Sequence, residues 1–318
     1  MPDATRAPDR IPLTVVGGFL GAGKTTLLNH ILGGLGGIRA AVLVNDFGAV
    51  NIDATLLGTR QGGVIALGNG CVCCSIGGDL TDALIRVMSR SPAPEWIVIE
   101  ASGVSDPWRI AQVGLADPGL ELDGVIVLVD ATVAGEHARD PLLRDTLARQ
   151  LVAADVVVLN KRDLASESRL REARDWVLRT APRAPIFEAA HATVPLEVLN
   201  GLAAARMPSK SGSAGAVAHG SHSFQFESEA IACEGRYSAA MLRALLAHMP
   251  AGVLRAKGIV RTDEADASVL QFSGRHGSLR AIENALATDM GNVVAIGLRG
   301  QLPAQALRGA LAAVRLPT

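Results

Sequence analysis

The sequence predicts an α/β fold: a doubly wound, mostly parallel sheet, followed by a small α+β domain. Three observations predict it. Between residues 11 and 207, Val- and Ile-rich apolar runs alternate with helical stretches. The first run leads straight into a glycine-rich loop and a helix. Near residue 208 the composition shifts to Ser, Gly and Ala, and strands gather around a helix beyond it.

Taken in order, the strands read as 12–17 (PLTVVG), 40–45 (AAVLVN), 95–100 (EWIVIE), 123–130 (DGVIVLVD), 154–160 (ADVVVLN) and 184–189 (APIFEA). Most are unbroken apolar runs rather than alternating ones, as in parallel strands covered on both faces. Helices are predicted at 23–34, 78–90, 106–114, 136–151, 166–180 and 195–205. This alternation implies right-handed βαβ units. Residues 1–10 read as a disordered polar tail, 11–207 as the sheet domain and 208–222 as a flexible linker poor in charge. Residues 223–318 read as the small domain: SFQFES, a helix near 237–248, VLRAKGIVRT, SVLQFSG, NVVAIGL and a closing helix near 303–314.

Composition excludes several roles. Of 318 residues, 49% are apolar, which supports a core rather than disorder. The 30 basic and 31 acidic side chains give a net charge of −1, so a nucleic-acid surface is not expected. No apolar run reaches about 18 residues, and residues 1–10 lack the pattern of a secretory signal. The expectation is a cytoplasmic protein with no membrane partner. Only four of the basic residues are lysines (Lys24, Lys161, Lys210 and Lys257), against 26 arginines. Such a chain keeps lysine where a compact ammonium matters.

The segment Gly18-Phe19-Leu20-Gly21-Ala22-Gly23-Lys24-Thr25-Thr26 fits G-x-x-x-x-G-K-[ST] between a strand and a helix. Backbone N–H groups of Gly18, Gly21, Ala22, Gly23 and Thr26 would surround phosphate oxygens, helped by the helix N-terminus. Lys24 would reach the β- and γ-phosphates, and the Thr25 hydroxyl would ligate Mg²⁺. Glu100 ends a strand beside this loop, where a Mg²⁺-associated carboxylate belongs. The Gly103 amide would contact the γ-phosphate. Asp46, after the second strand, would position water or help hold a metal; equally, it is a turn-forming Asp. Asn160-Lys161-Arg162-Asp163 follows a buried strand. The Asp163 carboxylate can accept two hydrogen bonds from guanine N1–H and N2–H₂, a donor pair adenine lacks. Lys161 would lay its stem along the base. The plainer alternative is a helix-capping Asp163 in an ordinary turn.

Cys71, Cys73 and Cys74 fall in a loop rich in glycine. Thiolates this close can converge on one ion, and soft sulfur ligands select Zn²⁺, Cu⁺ or a related ion. They supply at most three ligands, so a fourth comes from Asp46, a histidine or water. A redox pair or a set of small buried side chains is the alternative.

Together, GGFLGAGKTT, NDFGAVNID, GCVCCS, EASGVSDP and NKRD, in this order, resemble the CobW-type family of P-loop GTPases. The linker and SHSF…LRAKGIV resemble that family's C-terminal domain. The resemblance implies GTP hydrolysis coupled to insertion of zinc or cobalt. It implies phosphate binding by Gly21, Gly23, Lys24, Thr25 and Thr26, Mg²⁺ at Thr25 and Glu100, guanine recognition by Asn160, Lys161 and Asp163, and cargo metal at Cys71, Cys73 and Cys74. Partners would be a client metalloenzyme or metal-insertion machinery, with oligomeric state open, a homodimer included. Two departures stand out. Many members carry Glu in the segment of Asp46, and some carry a His-rich tract where this chain has only His219 and His222. A nucleotide-gated regulator of a metalloenzyme that carries no metal itself is the second reading.

Overall fold

The computed structural model describes residues 10–35, 38–44, 63–66, 79–199, 226–274, 276–282 and 291–317. Outside them lie the predicted linker 208–222, almost all of the N-terminal tail, Asp46, Cys71, Cys73, Cys74, His219 and His222. The chain divides into two compact units, Asp9–Val194 and Pro195–Thr318.

The first unit alternates strands and helices. They are β1 (Ile11–Gly18), α1 (Lys24–Gly33), β2 (Ala40–Val44), β3 (Gly63–Ala66), α2 (Asp79–Met88), β4 (Trp96–Glu100) and α3 (Pro107–Ala116), then β5 (Leu120–Asp130), α4 (Ala134–Arg139), α5 (Arg144–Ala153), β6 (Val156–Asn160), α6 (Glu167–Thr180) and β7 (Ile186–Glu188). All seven strands are parallel, in the order β3-β2-β4-β1-β5-β6-β7. The central strands are buried on both faces, which is why they read as unbroken apolar runs. On one face Leu13, Val15, Leu43, Ile97, Ile99, Val127 and Leu159 pack with Leu84 and Val87 of α2, Ile110 of α3, Leu151 of α5 and Val177 of α6. The alternate residues Val16, Val42, Val98 and Val158 are equally buried but lie outside that cluster, as a period of two demands. Leu27, Leu28 and Ile31 of α1 are buried outside it too.

The helix predicted at 136–151 is two. Pro141 cannot donate a helical hydrogen bond and holds Asp140 extended, at φ −75° and ψ 117°. The Asp140 carboxylate then accepts from Leu142 N at 2.8 Å, and the chain restarts as α5. Strand β3 escaped the sequence reading because four residues among glycines give no period to read.

The second unit holds α7 (Leu196–Leu199), β8 (Phe226–Ala232), β9 (Arg236–Tyr237), α8 (Ala239–Ala247), β10 (Val253–Thr262), β11 (Ser268–Ser273), β12 (His276–Ala281), β13 (Asn292–Leu298) and α9 (Ala304–Ala313). Its main sheet runs β12-β11-β10-β13-β8, antiparallel throughout, with β9 parallel to β10. Leu242 and Leu246 of α8 and Leu307 and Leu311 of α9 pack with Ile231, Ala256, Val260, Phe272 and Val293. No helix among the described residues is long and apolar enough to cross a membrane.

Candidate nucleotide site

Strand β1 lies between β4 and β5, so the connections on its two sides run in opposite directions and open a crevice at its carboxyl end. Gly18 leaves β1 at φ 132°, followed by Gly21 at 74° and Gly23 at 105°, values that favour glycine. A Cβ on Gly18 would lie 2.5 Å from the Leu128 carbonyl oxygen, and one on Gly23 would run into Asn160 Nδ2. Gly23 is also the N-cap of α1, with no side-chain cap and no acid in the first turn. The first-turn N–H groups and the positive end of the helix dipole are therefore uncompensated by any carboxylate of the helix, as an anion site requires.

Ala22 is buried, with its N–H donating to Phe19 O at 3.2 Å. Lys24, only 7% exposed, donates from Nζ to Phe19 O at 3.3 Å and lies 4.0 Å from Glu100 Oε1. Thr25 and Thr26 follow in α1, half-buried and exposed respectively. Glu100 is the last residue of β4, in register with Val16 of β1 and Val44 of β2, and 2% exposed. A carboxylate so buried is tolerable only beside positive charge or donors, and Lys24 supplies the charge.

The loop after β4 turns back on itself, with Ser105 N donating to Ser102 O at 2.9 Å. Gly103 is buried against the phosphate loop: a Cβ there would lie 2.6 Å from Leu20 Cδ2 and 2.9 Å from Leu20 N. On its other side, Gln150 Nε2 donates to the carbonyls of Gly103 (3.0 Å) and Ser105 (2.9 Å).

Asn160, 2% exposed at the end of β6, joins this region to a second one. Its Nδ2 donates to Ala22 O at 2.9 Å, and its Oδ1 accepts from Ala192 N at 2.7 Å. Lys161 adopts φ 61°, and its carbonyl accepts from Leu164 N and Ala165 N at 3.0 and 3.1 Å, closing the turn that carries Asp163. The Asp163 side chain is 34% exposed, with His191 Nε2 3.7 Å from Oδ2. The Lys161 ammonium donates to Asp130 Oδ2 at 2.6 Å.

Sequence reasoning missed three contributors. Asp130 ends β5 as Glu100 ends β4, and that shared position was a usable signal. The loop 189–193, with His191 and Ala192 at φ 51° and 50°, reaches Asn160 through a backbone N–H and has no motif. Gln150 reaches the loop after β4 from a helix distant in sequence, which no local pattern reveals. Among the described residues, no three His, Cys, Asp or Glu side chains gather as a metal site; Asp46 and the three cysteines lie outside those residues.

Burial pushes the Asp130 pKa up, but hydrogen bonds from Lys161 and Thr132 outweigh it and hold the carboxyl below its ordinary value. A depressed acid stabilises the fold above its unfolded pKa, about 3.9, and that contribution is lost as pH falls through the folded value. Urea melts at a series of pH values are expected to show stability declining below about pH 4, with Asp130→Asn removing part of that slope. An unchanged slope in the variant would contradict the ion pair.

Residues 12–188 match the family described as CobW/HypB/UreG, nucleotide-binding domain, and residues 222–315 match the Cobalamin synthesis protein cobW C-terminal domain. The chain is 38% identical over 198 residues to the zinc chaperone YjiA of Escherichia coli (strain K12), covering 59% of this chain and 60% of that protein. It is 35% identical over 222 residues to the zinc chaperone CobW of Sinorhizobium sp, covering 61% and 63%. The crystal structure of Zn(II)-bound YjiA GTPase from E. coli superposes with a TM-score of 0.45 at 26% identity, covering 97% of this chain and 100% of that one. From the match across most of its first unit, the chain belongs to the CobW/HypB/UreG nucleotide-binding family, with a cobW C-terminal domain after it.

Proposed function

We propose that this protein binds and hydrolyses GTP and uses the nucleotide state to control binding and delivery of a transition metal, zinc or cobalt. The observation that carries the reading is the Asn160 amide, which ties the phosphate loop at Ala22 to the Asn160–Asp163 turn and the 189–193 loop. One nucleotide then fits with phosphates at the N-terminus of α1 and its base at Asp163. Gly18, Gly21, Gly23 and Thr26 hold phosphate through the backbone, the Ala22 N–H closes the loop on Phe19 O instead, and Lys24 lies along the β- and γ-phosphates. Asn160, Lys161 and Asp163 take the guanine end, with Asp163 accepting from N1–H and N2–H₂.

The oxygens of Thr25 and Glu100 form a hard donor set that suits Mg²⁺. When bound, that ion neutralises charge developing between the β- and γ-phosphates. The Gly103 amide meets the γ-phosphate, and Asp46 positions water or assists at the metal. The cargo ion is held by Cys71, Cys73 and Cys74, whose thiolates require the reducing cytoplasm. Relatives named zinc chaperones support zinc as that ion. Recipients would be a client metalloenzyme or its metal-insertion machinery. Cargo and nucleotide must be linked reciprocally: if GTP changes metal affinity, metal changes GTP affinity by the same factor.

Equilibrium metal competition with GTP, GDP and no nucleotide tests the coupling. Metal dissociation constants should differ between the two nucleotides by about 5- to 150-fold, the usual span of such couplings. Co²⁺ should give thiolate charge-transfer absorption that Cys73→Ser abolishes. Identical constants in all three conditions would end the proposal, and an unaltered Cys73→Ser spectrum would remove the cysteines from it.

A further inference from the structure

We propose that Gln150 is a positioning residue for GTP hydrolysis, holding the loop after Glu100 so that the Gly103 amide is set against the γ-phosphate. This rests on the GTPase reading above. The loop is gripped from two sides. Leu20 of the phosphate loop presses on Gly103 closely enough that a Cβ would clash with its backbone nitrogen. Opposite, both Nε2 hydrogens of Gln150 go to loop carbonyls, at Gly103 and Ser105. The amide can face only this way, because turning it over would set its oxygen against two carbonyl oxygens.

Packing alone does not explain a glutamine here. Gln150 is 1% exposed, and its Oε1 is buried with no hydrogen-bond partner among the described residues. The neighbouring Ser105 Oγ is likewise buried and without one. Leu or Met would fill the space and strand no side-chain oxygen, but the Gly103 and Ser105 carbonyls would lose these donors. Unsatisfied buried polar atoms are rare in native structures, and each calls for a specific cause, such as stored strain or a catalytic role. Here the stranded oxygen accompanies two donors that fix a loop lying between the Mg²⁺-associated carboxylate and α3. Gln150 gives both donors to backbone carbonyls of this loop. It acts through Gly103, so its contribution belongs to the turnover step rather than to nucleotide affinity.

Gln150→Met keeps the shape and removes both donors; Gln150→Glu keeps the shape and sets a carboxylate against the two carbonyls. Steady-state GTP hydrolysis should show kcat falling roughly ten- to hundredfold in Gln150→Met and further in Gln150→Glu. KM for GTP and the Kd for GDP should stay within about threefold of wild type, as expected when only transition-state stabilisation is lost. Hydrogen exchange supplies a readout that a purely structural role would not move. A non-hydrolysable GTP analogue should protect amides 102–106 relative to GDP in the wild type, and Gln150→Met should erase that difference. Unchanged kcat, or a fall in kcat matched by an equal loss of GDP affinity, overturns the inference and leaves the GTPase reading standing. A wild-type protein that hydrolyses no GTP overturns both.

Discussion

Changing Asp163 to Asn is expected to weaken GTP binding by roughly 10²- to 10³-fold while leaving ATP binding nearly unchanged. The carboxylate offers two acceptor oxygens to guanine's N1–H and N2–H₂, and hydrogen bonds to a charged acceptor contribute about 1.5–3 kcal/mol each. Asn keeps one acceptor and turns an NH₂ toward a donor, so one bond becomes a repulsion. The backbone around the site should not shift, because the turn is closed by Leu164 N and Ala165 N on the Lys161 carbonyl, not by the Asp163 side chain. Lys161 is fixed separately, by Asp130. Titration of the wild type and variant with fluorescent guanine and adenine nucleotides measures the change. Xanthine carries a carbonyl where guanine has its amino group, so xanthosine triphosphate should gain affinity in the variant. Equal losses for GTP and ATP would show that Asp163 supports the turn and does not read the base.

What the sequence carried of this site divides along physical lines. The glycine-rich loop was legible because its geometry is local: Gly18 to Thr26 run consecutively, and Gly18, Gly21 and Gly23 all adopt positive φ. The central strands were legible because parallel strands covered on both faces leave no polar period. The proximity of Lys24 and Glu100 followed from those two facts, since β4 is the neighbour of β1. Strand β12 was not legible, because its HGSLRA pairs by backbone hydrogen bonds at a sheet edge and carries a single large apolar side chain. The Asn160 bridge, the grip of Gln150 and the 189–193 loop were not legible either. Each joins segments distant in sequence through one amide, and an amide has no periodicity. The break at Asp140-Pro141 was present in the sequence and was outweighed by the apolar spacing on either side of it.

Lys24→Ala is expected to lower kcat for GTP by roughly 10²- to 10³-fold, the scale of losing one preorganised donor to developing charge. Lys24 is held in place by the protein itself: its ammonium bonds Phe19 O in the loop and sits 4.0 Å from Glu100, almost wholly out of water. The low local dielectric that strengthens it toward phosphate also strengthens it toward Glu100, so the substitution has a second consequence. Glu100 remains buried without this cation, and breaking a buried ion pair by removing one partner commonly costs about 3–5 kcal/mol. Stability and turnover must therefore be separated. Lys24→Arg keeps the charge but replaces a compact ammonium with a planar fork, so it should retain most of the stability and still lose most of the turnover. Combining Lys24→Ala with Glu100→Gln should recover melting temperature and no activity at all. Thermal melts beside single-turnover hydrolysis resolve the two effects. Hydrolysis by Lys24→Ala within threefold of wild type would mean that this lysine neutralises a buried acid and takes no part at the phosphates.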